Sequence, residues 1–422
     1  MKIRFMGTTI AQIMMVTIVV SGCSVDNDST GENPKPVICP VEPPTTLELT
    51  QAEKELVNHS NEFAFNLFRR AQDGLNSQVL SPISITYALG MLNNGADGET
   101  QAQVNQVLGF GDTGADGIND FCYKMLKRAP TLDPQTKALI ANTIYMNKGF
   151  ELKADFVQKA NLFYDAEPET RDFNDGQTMD IINQWASDHT EQMIDKVLDN
   201  GSFNPFAVSY LLNAIYFKGT WTYKFDKELT CDEEFKHVGM TTEYLECPMM
   251  RQEAEFEYAE DDNYQALCLP YGNGAFQMTV LLPKGDGNAL PEVPTAEAWQ
   301  QLNEKMNTTL VDVKLPRFEI KTDIDLNQIM ADLGMPDAFD KYKADFSNFC
   351  NVQTWIGLMK QVAKIKVDEE GTEAAAVTVI EMTFSSPASI PFHANHPFLY
   401  VISERQTGAI FFIGQYTGYT WK

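Results

Sequence analysis

The 422-residue chain is 44% hydrophobic, enough for a sizeable core, and carries a formal net charge of −26. That composition excludes a disordered chain, and the acidity argues against nucleic acid and anionic lipid head groups, which are bound by clustered Lys and Arg. Its ordinary consequence is solubility.

The chain opens on a targeting pattern. Lys2 and Arg4 precede an apolar run, Ile10–Val20, that is too short to favour a spanning helix. Val19-Val20-Ser21-Gly22-Cys23 then resembles a bacterial lipobox, with Val at the usual Leu position. The resemblance implies a lipoprotein signal peptide over residues 1–22, cleavage before Cys23 and lipidation of its thiol; a plain secretory signal is the alternative. Asp26 and Asp28 resemble the surface-export patch of some Gram-negative lipoproteins. Residues 23–49, with Pro34, Pro36, Pro40, Pro43 and Pro44, read as a stiffened tether ahead of one folded domain, 50–422. The expected location is therefore outside the inner membrane, anchored at the outer membrane or cell surface, with contact to lipid through the anchor alone.

Thr50-Gln51-Ala52-Glu53 is a capping box, followed by Ala52, Leu56, Phe63 and Leu67 at helical spacing. Ser81-Pro82 predicts a second helix start, with Leu89 and Met91 inside the helix and Gly95 able to end it. A further helix is expected over 100–108. Strands are predicted over 208–218, 266–271, 276–283, 311–320, 361–367, 398–403 and 409–414, with Gly272-Asn273-Gly274 as a hairpin signal. Helices first and strands later indicate an α+β fold.

Enzyme and metal motifs are missing. No G-x-S-x-G or H-E-x-x-H occurs, and the histidines are His59, His189, His237, His393 and His396, at no spacing that favours a triad. Gly109–Gly114 matches G-x-G-x-x-G, but it follows a helix, so Gly109 reads as a C-cap rather than a phosphate loop. Beyond Cys23 the cysteines are Cys39, Cys122, Cys231, Cys247, Cys268 and Cys350, with no C-x-x-C pair. Cys231 and Cys247 could face each other across a hairpin, although free thiols are favoured. No metal or cofactor is expected.

Residues 367–391 are unusual. The segment has few turn-formers until Pro387 and follows a strongly apolar strand. Thr372, Ala374, Ala376, Thr378, Ile380 and Met382 form one uncharged alternating set, while Glu373 and Glu381 fall in the other set. That is the pattern of a strand with one buried face. An ordinary sheet strand, or a short helix through Ala374–Ala376, is the simpler alternative.

Glu369-Glu370-Gly371-Thr372-Glu373-Ala374-Ala375-Ala376 closely resembles the hinge of inhibitory serpins, and Phe392–Phe398 resembles the strand start after their reactive loop. Leu80–Ile85 resembles the family's shutter helix start, Asn213–Trp221 its central strand and breach tryptophan, and 332–339 and 344–347 also fit. The resemblance spans about residues 50–420 in family order. It implies three sheets with about nine helices and an exposed reactive centre loop. A serine protease would attack that loop and form an acyl-enzyme; the cleaved loop would insert into the main sheet and distort the trapped protease. A papain-like cysteine protease is a further candidate target, and the inhibitor is expected to be a monomer.

The same resemblance assigns residues. The hinge is Glu369, Gly371, Thr372, Glu373, Ala374, Ala375, Ala376, Val377 and Thr378, where Val377 is slightly bulkier than usual. The breach is Trp221, Arg317 and Glu369, with Arg317 at a family lysine position and expected to clamp Glu369 bidentately if partly buried. The shutter is Ser81, Ser84, Asn213 and Gln361, where Gln361 replaces the usual histidine and is expected to bond near Ser84 and Asn213. Ser77 replaces a usual asparagine. No Lys or Arg lies between Lys366 and Arg405, which disfavours trypsin-like targets. The family's loop length counted from Glu369 puts the acyl-side residue at Ser385 and counted back from Phe398 at Ser386; Ser386 precedes Pro387, a poor bond for most serine proteases, so the cut is placed at Ser385–Ser386, with Met382, Thr383 and Phe384 as alternatives. Small residues suit elastase-like or subtilisin-like pockets, and Phe384 or Met382 chymotrypsin-like ones. A serpin fold that binds without inhibiting is the competing reading.

Overall fold

The computed structural model describes residues 49–111, 113–238, 244–285, 287, 289–372 and 389–418. The chain divides into units 1–40 and 41–422, and everything described lies in the second.

Helix α1 (Gln51–Ala71) starts where the capping box predicts: Thr50 Oγ1 accepts from Glu53 N–H at 3.3 Å, and Glu53 Oε2 accepts from Thr50 N–H at 2.7 Å. After β1 (Gln78–Leu80) come α2 (Pro82–Asn93), α3 (Gly98–Val107) and α4 (Gly114–Arg128). Gly109, at φ +82°, closes the end of α3, so the glycine pattern there is a helix stop. Next follow β2 (Thr136–Asn147), α5 (Ala154–Tyr164), β3 (Glu167–Arg171), α6 (Thr178–His189) and β4 (Ser209–Thr220). The strand-rich half holds β5 (Cys231–Lys236), β6 (Tyr244–Glu260), β7 (Tyr264–Tyr271) and β8 (Phe276–Pro283). Then come α7 (Ala296–Glu304), β9 (Asn307–Pro316), β10 (Phe318–Asp325), α8 (Asn327–Leu333) and β11 (Lys360–Val367). The short β12 (Gly371–Thr372) precedes β13 (Ile390–His393), β14 (Phe398–Glu404) and β15 (Ile410–Tyr416).

The strands form three sheets. A nine-stranded sheet runs β1-β15-β14-β8-β7-β6-β9-β13, with β5 added on β6. A four-stranded sheet runs β12-β4-β2-β3, and β10 pairs with β11. With eight α-helices among the described residues, this is the expected α+β architecture. None of the described helices is long and apolar enough to cross a membrane. Phe217 of β4 packs its ring 5.1 Å from Tyr271, 5.6 Å from Phe276 and 6.3 Å from Phe412, which locks the four-stranded sheet onto the nine-stranded one.

Two sequence expectations need correction. The strand predicted over 311–320 is two strands in different sheets. Pro316 ends β9, and Arg317, whose N–H still donates to Pro248 O of β6 at 2.8 Å, separates it from β10. Cys231 and Cys247 do not oppose each other: Cys231 aligns with Met249 and Cys247 with Glu233. Both thiols are free, and burial pushes that of Cys247 up to about 11.

Candidate functional site

The four-stranded and two-stranded sheets meet at β12, which pairs with β4 and lies against β11, and this marks a seam between β4 and β11. No ladder joins these two strands among the described residues. At the top of the seam the chain leaves β11 and reverses. Asp368 N–H donates to Gly371 O at 2.9 Å and Gly371 N–H to Asp368 O at 3.2 Å, so Glu369 and Glu370 form the corner of a tight turn. The chain then starts back down the seam. Gly371 pairs with Thr220 and Thr372 with Gly219, antiparallel to β4.

Gly371 holds φ +147°, and a Cβ there would lie 2.1 Å from Gly219 O. Only glycine fits so close to the neighbouring backbone. Thr372 is 2% exposed, and its hydroxyl lies 2.8 Å from the hydroxyl of Tyr271. Burial pushes the Tyr271 phenol far up, so it stays a neutral hydrogen-bonding partner.

Trp221 covers the turn. Its ring stacks on Tyr271 at 4.4 Å and 11°. Its Nε1–H donates to Asp368 O and its N–H to Glu370 O, both at 2.9 Å, while Phe225 N–H donates to Glu369 O at 3.0 Å. The carbonyls of Asp368, Glu369 and Glu370 are thus all held by the segment that follows β4.

The expected bidentate Arg317–Glu369 clamp is not formed. Arg317 is half-exposed and reaches Glu369 through a single 3.6 Å contact, because Oε1 of Glu369 also accepts from Thr230 Oγ1 at 2.9 Å. The stronger ionic contact falls on the next residue. Glu370, with a side chain only 7% exposed, sits 2.9 Å from Lys224 Nζ and 3.0 Å from Lys227 Nζ. Its hydrogen bond raises the Lys227 ammonium above the usual lysine range. Sequence reasoning missed this group. The visible signal was Lys224-Phe225-Asp226-Lys227 shortly after the breach tryptophan, but only the fold brings it to the hinge.

At the shutter, α2 touches both sides of the seam. Gln361 of β11 donates to Ser81 O at 2.9 Å and accepts from Ser81 N–H at 3.0 Å. Ser81 Oγ donates to Phe411 O at 2.8 Å rather than capping the helix. Ser84 Oγ donates to Asn213 of β4, whose Nδ2 donates to Asn142 Oδ1 at 2.7 Å. The expected meeting of Gln361 with Ser84 and Asn213 is therefore corrected: Gln361 spends both amide atoms on the Ser81 backbone. Asn142, not singled out from sequence, completes the β4–β2 side. Ser77 is buried and accepts from Thr417 N–H at 3.0 Å.

Glu373, Ala374, Ala375, Ala376, Val377, Thr378, Met382, Thr383, Phe384, Ser385 and Ser386 lie outside the described residues, as does Cys23. No cluster of metal-ligating side chains occurs among the described residues.

The family model described as Serpin (serine protease inhibitor) matches residues 58–418. The chain belongs to the serpin family. Human Serpin B8 is 35% identical over 378 residues, covering 86% of this chain and 99% of its own. The native-state crystal structure of tengpin, a thermophilic serpin, matches with TM-score 0.79 and 29% identity, over 89% of this chain and 97% of that one. Human thyroxine-binding globulin matches equally well in shape, at TM-score 0.79 and 26% identity, over 88% of this chain and 100% of its own. Serpins act on target proteases as inhibitors, not as catalysts.

Proposed function

We propose that this serpin is a suicide-substrate inhibitor of serine proteases of elastase-like, subtilisin-like or chymotrypsin-like specificity. The observation that carries the reading is the hinge itself. Gly371 and Thr372 pair with β4 at the top of the seam, so the first rung of an inserting strand is in register. The protease serine attacks the carbonyl of Ser385, with Met382, Thr383 and Phe384 as alternative acyl-side residues; the Ser385–Ser386 peptide bond breaks, the Ser386 amine leaves with the proton given up by the serine hydroxyl, and the serine becomes esterified to the loop. The chain from Glu373 to Thr378 then follows Thr372 down the seam, carrying the acyl-enzyme with it. Trapping succeeds when this movement outruns deacylation. The absence of Lys and Arg between Lys366 and Arg405 supports targets other than trypsin-like ones.

The test is incubation with an elastase, a subtilisin and a chymotrypsin. An SDS-stable complex, with a released fragment beginning at Ser386, is the expected outcome; a cut outside Met382–Pro387 sinks the bond assignment. Cleavage without a complex favours the second reading, a serpin-fold binding protein. That reading is supported by the likeness to thyroxine-binding globulin and by a cavity of about 590 Å³ beside α1 and α7, lined by His59, Trp299, Gln277 and Arg405 among others.

The proposal extends to location. Cys23 carries the lipid, residues 24–49 are the spacer, and the domain acts as an envelope-anchored monomer. Cys23→Ser is expected to move the protein from the membrane fraction to the soluble one, and unchanged fractionation counts against the anchor.

A further inference from the structure

We propose that Glu370 is a positioning residue for the inhibitory reaction, and that Lys224 and Lys227 act through it to hold the hinge in its seated form. This rests on the inhibitory reading above, although part of its test does not. Glu370 occupies the turn that reverses the chain, immediately before Gly371 and Thr372. Its carboxylate is buried, and carboxylates are not buried at a tight corner without compensation. Compensation comes from the two ammonium groups at 2.9 and 3.0 Å.

Both lysines belong to the segment after β4, the same strand on which Gly371 and Thr372 seat. Lys224 is 15% exposed and fixed beside Phe225, whose N–H holds the Glu369 carbonyl; Phe225 in turn packs on Trp221 at 6.4 Å. Lys227 lies in a 3-10 turn capped by Asp226, whose side chain accepts from Glu228 N–H at 2.9 Å. The cations are therefore mounted on the β4 side and the anion on the chain leaving β11. The ion pairs form where the hinge is folded back against β4, so they favour the seated over the extended hinge. Arg317, at the position that the family resemblance marks, is the weaker partner here, with one 3.6 Å contact from a half-exposed side chain.

The experiment compares wild type with Glu370→Gln, Lys224→Met and the exposed control Lys148→Met, which lies at the far end of β2 from the hinge. Hydrogen exchange at Gly371 and Thr372 is read first, against β7 and β8 as internal reference, and needs no protease. Exchange at the hinge is expected to rise about tenfold in Glu370→Gln and Lys224→Met, in line with the loss of charged hydrogen bonds. It should not change in Lys148→Met or in the reference strands. The number of inhibitor molecules consumed per protease trapped is read second, and is expected to rise several-fold in the same two variants, with the rate of loop cleavage unchanged. Hinge exchange equal to wild type in both variants overturns the proposal. A wild type that traps no protease, together with raised hinge exchange in the variants, instead overturns the inhibitory reading and leaves the clamp standing. If Glu370→Gln raises exchange in β7 and β8 as well, Lys224→Met alone decides.

Discussion

The hydroxyl pair at the top of the seam offers a sensitive test of how insertion starts. Thr372→Val keeps the shape of the side chain and removes its hydroxyl. Tyr271 then loses the 2.8 Å partner of a phenol that is fully buried and stacked under Trp221. An unsatisfied buried hydroxyl costs about 1–3 kcal/mol, which corresponds to roughly 5- to 160-fold in the seating of the hinge. Insertion competes with deacylation, so the expected outcome is a several-fold rise in inhibitor consumed per protease trapped, with the rate of loop attack unchanged. Tyr271→Phe alone keeps the ring stack and leaves Thr372 unsatisfied, with a similar penalty. The double variant Thr372→Val/Tyr271→Phe removes both hydroxyls and is expected to recover most of the loss, because replacing both partners is close to neutral. The assay is titration of a trapped protease with each of the four proteins. If the double variant is as poor as the sum of the singles, or if Thr372→Val matches wild type, the hydroxyl contact does not govern seating.

Gly371→Ala places a methyl 2.1 Å from Gly219 O at a positive φ, so it is expected to convert inhibitor to substrate while the unfolding midpoint stays within a few degrees; retained trapping refutes the requirement for glycine there. Gln361 does not titrate, and Gln361→His puts a titratable base against the Ser81 N–H and C=O. Loop insertion in that variant is expected to acquire a pH dependence between about 5 and 7 that wild type lacks, and parallel pH profiles count against it. Glu233 is partly desolvated, which raises its pKa, but the hydrogen bonds from Lys314 and Arg251 overcome this and leave the carboxyl below the ordinary glutamate range. A depressed carboxyl contributes stability above its unfolded pKa of about 4.3 and loses it as the pH falls through the folded value. Glu233→Gln is therefore expected to cost about 1 kcal/mol or less near neutrality and nothing at the acid end; a loss that is equal at both pH values refutes the assignment.

What could be read from the sequence was what local chemistry determines. The capping box, the glycine stop at Gly109 and the hairpin strands β7 and β8 each depend on residues close together in the chain, and each forms where the pattern places it. The hinge was legible through its likeness to the serpin hinge, whereas the contacts of Gly371 with Gly219 and of Thr372 with Tyr271 join residues far apart in the chain. The ionic partner of the hinge was not legible. Arg317 and Lys224 are both basic and both distant in sequence from Glu369 and Glu370, and only the close approach of the segment after Trp221 selects Lys224 and Lys227. The break at Pro316–Arg317 was missed although the apolar alternation changes phase there, from Val311, Val313 and Leu315 to Phe318 and Ile320, and the two halves enter different sheets. Gln361 was placed on the correct strand but given the wrong partners, since its amide is satisfied by one backbone residue.

On the inhibitory reading proposed above, the hinge and the shutter divide the control of insertion between them. β11 offers 8 residues along its length, and a strand laid beside it can form about one ladder bond per residue. At about 0.5–1.5 kcal/mol net per bond, that edge alone is worth roughly 4–12 kcal/mol, comparable with the stability of a whole domain. A driving force of this size needs no help once propagation is under way, so residues far down the seam affect the end point more than the rate. The slow part is nucleation: reversing the chain and placing the first rung before many bonds are gained. On that reading the Asp368–Gly371 turn and the Thr372 rung supply the nucleus, while Ser81 just ahead of α2 and Ser84 within it grip β11 and β4 through separate hydrogen bonds. Substitutions at Glu370, Gly371 and Thr372 should therefore act on the partition between trapping and release, and substitutions at Gln361 or Asn213 on how readily the two strands separate.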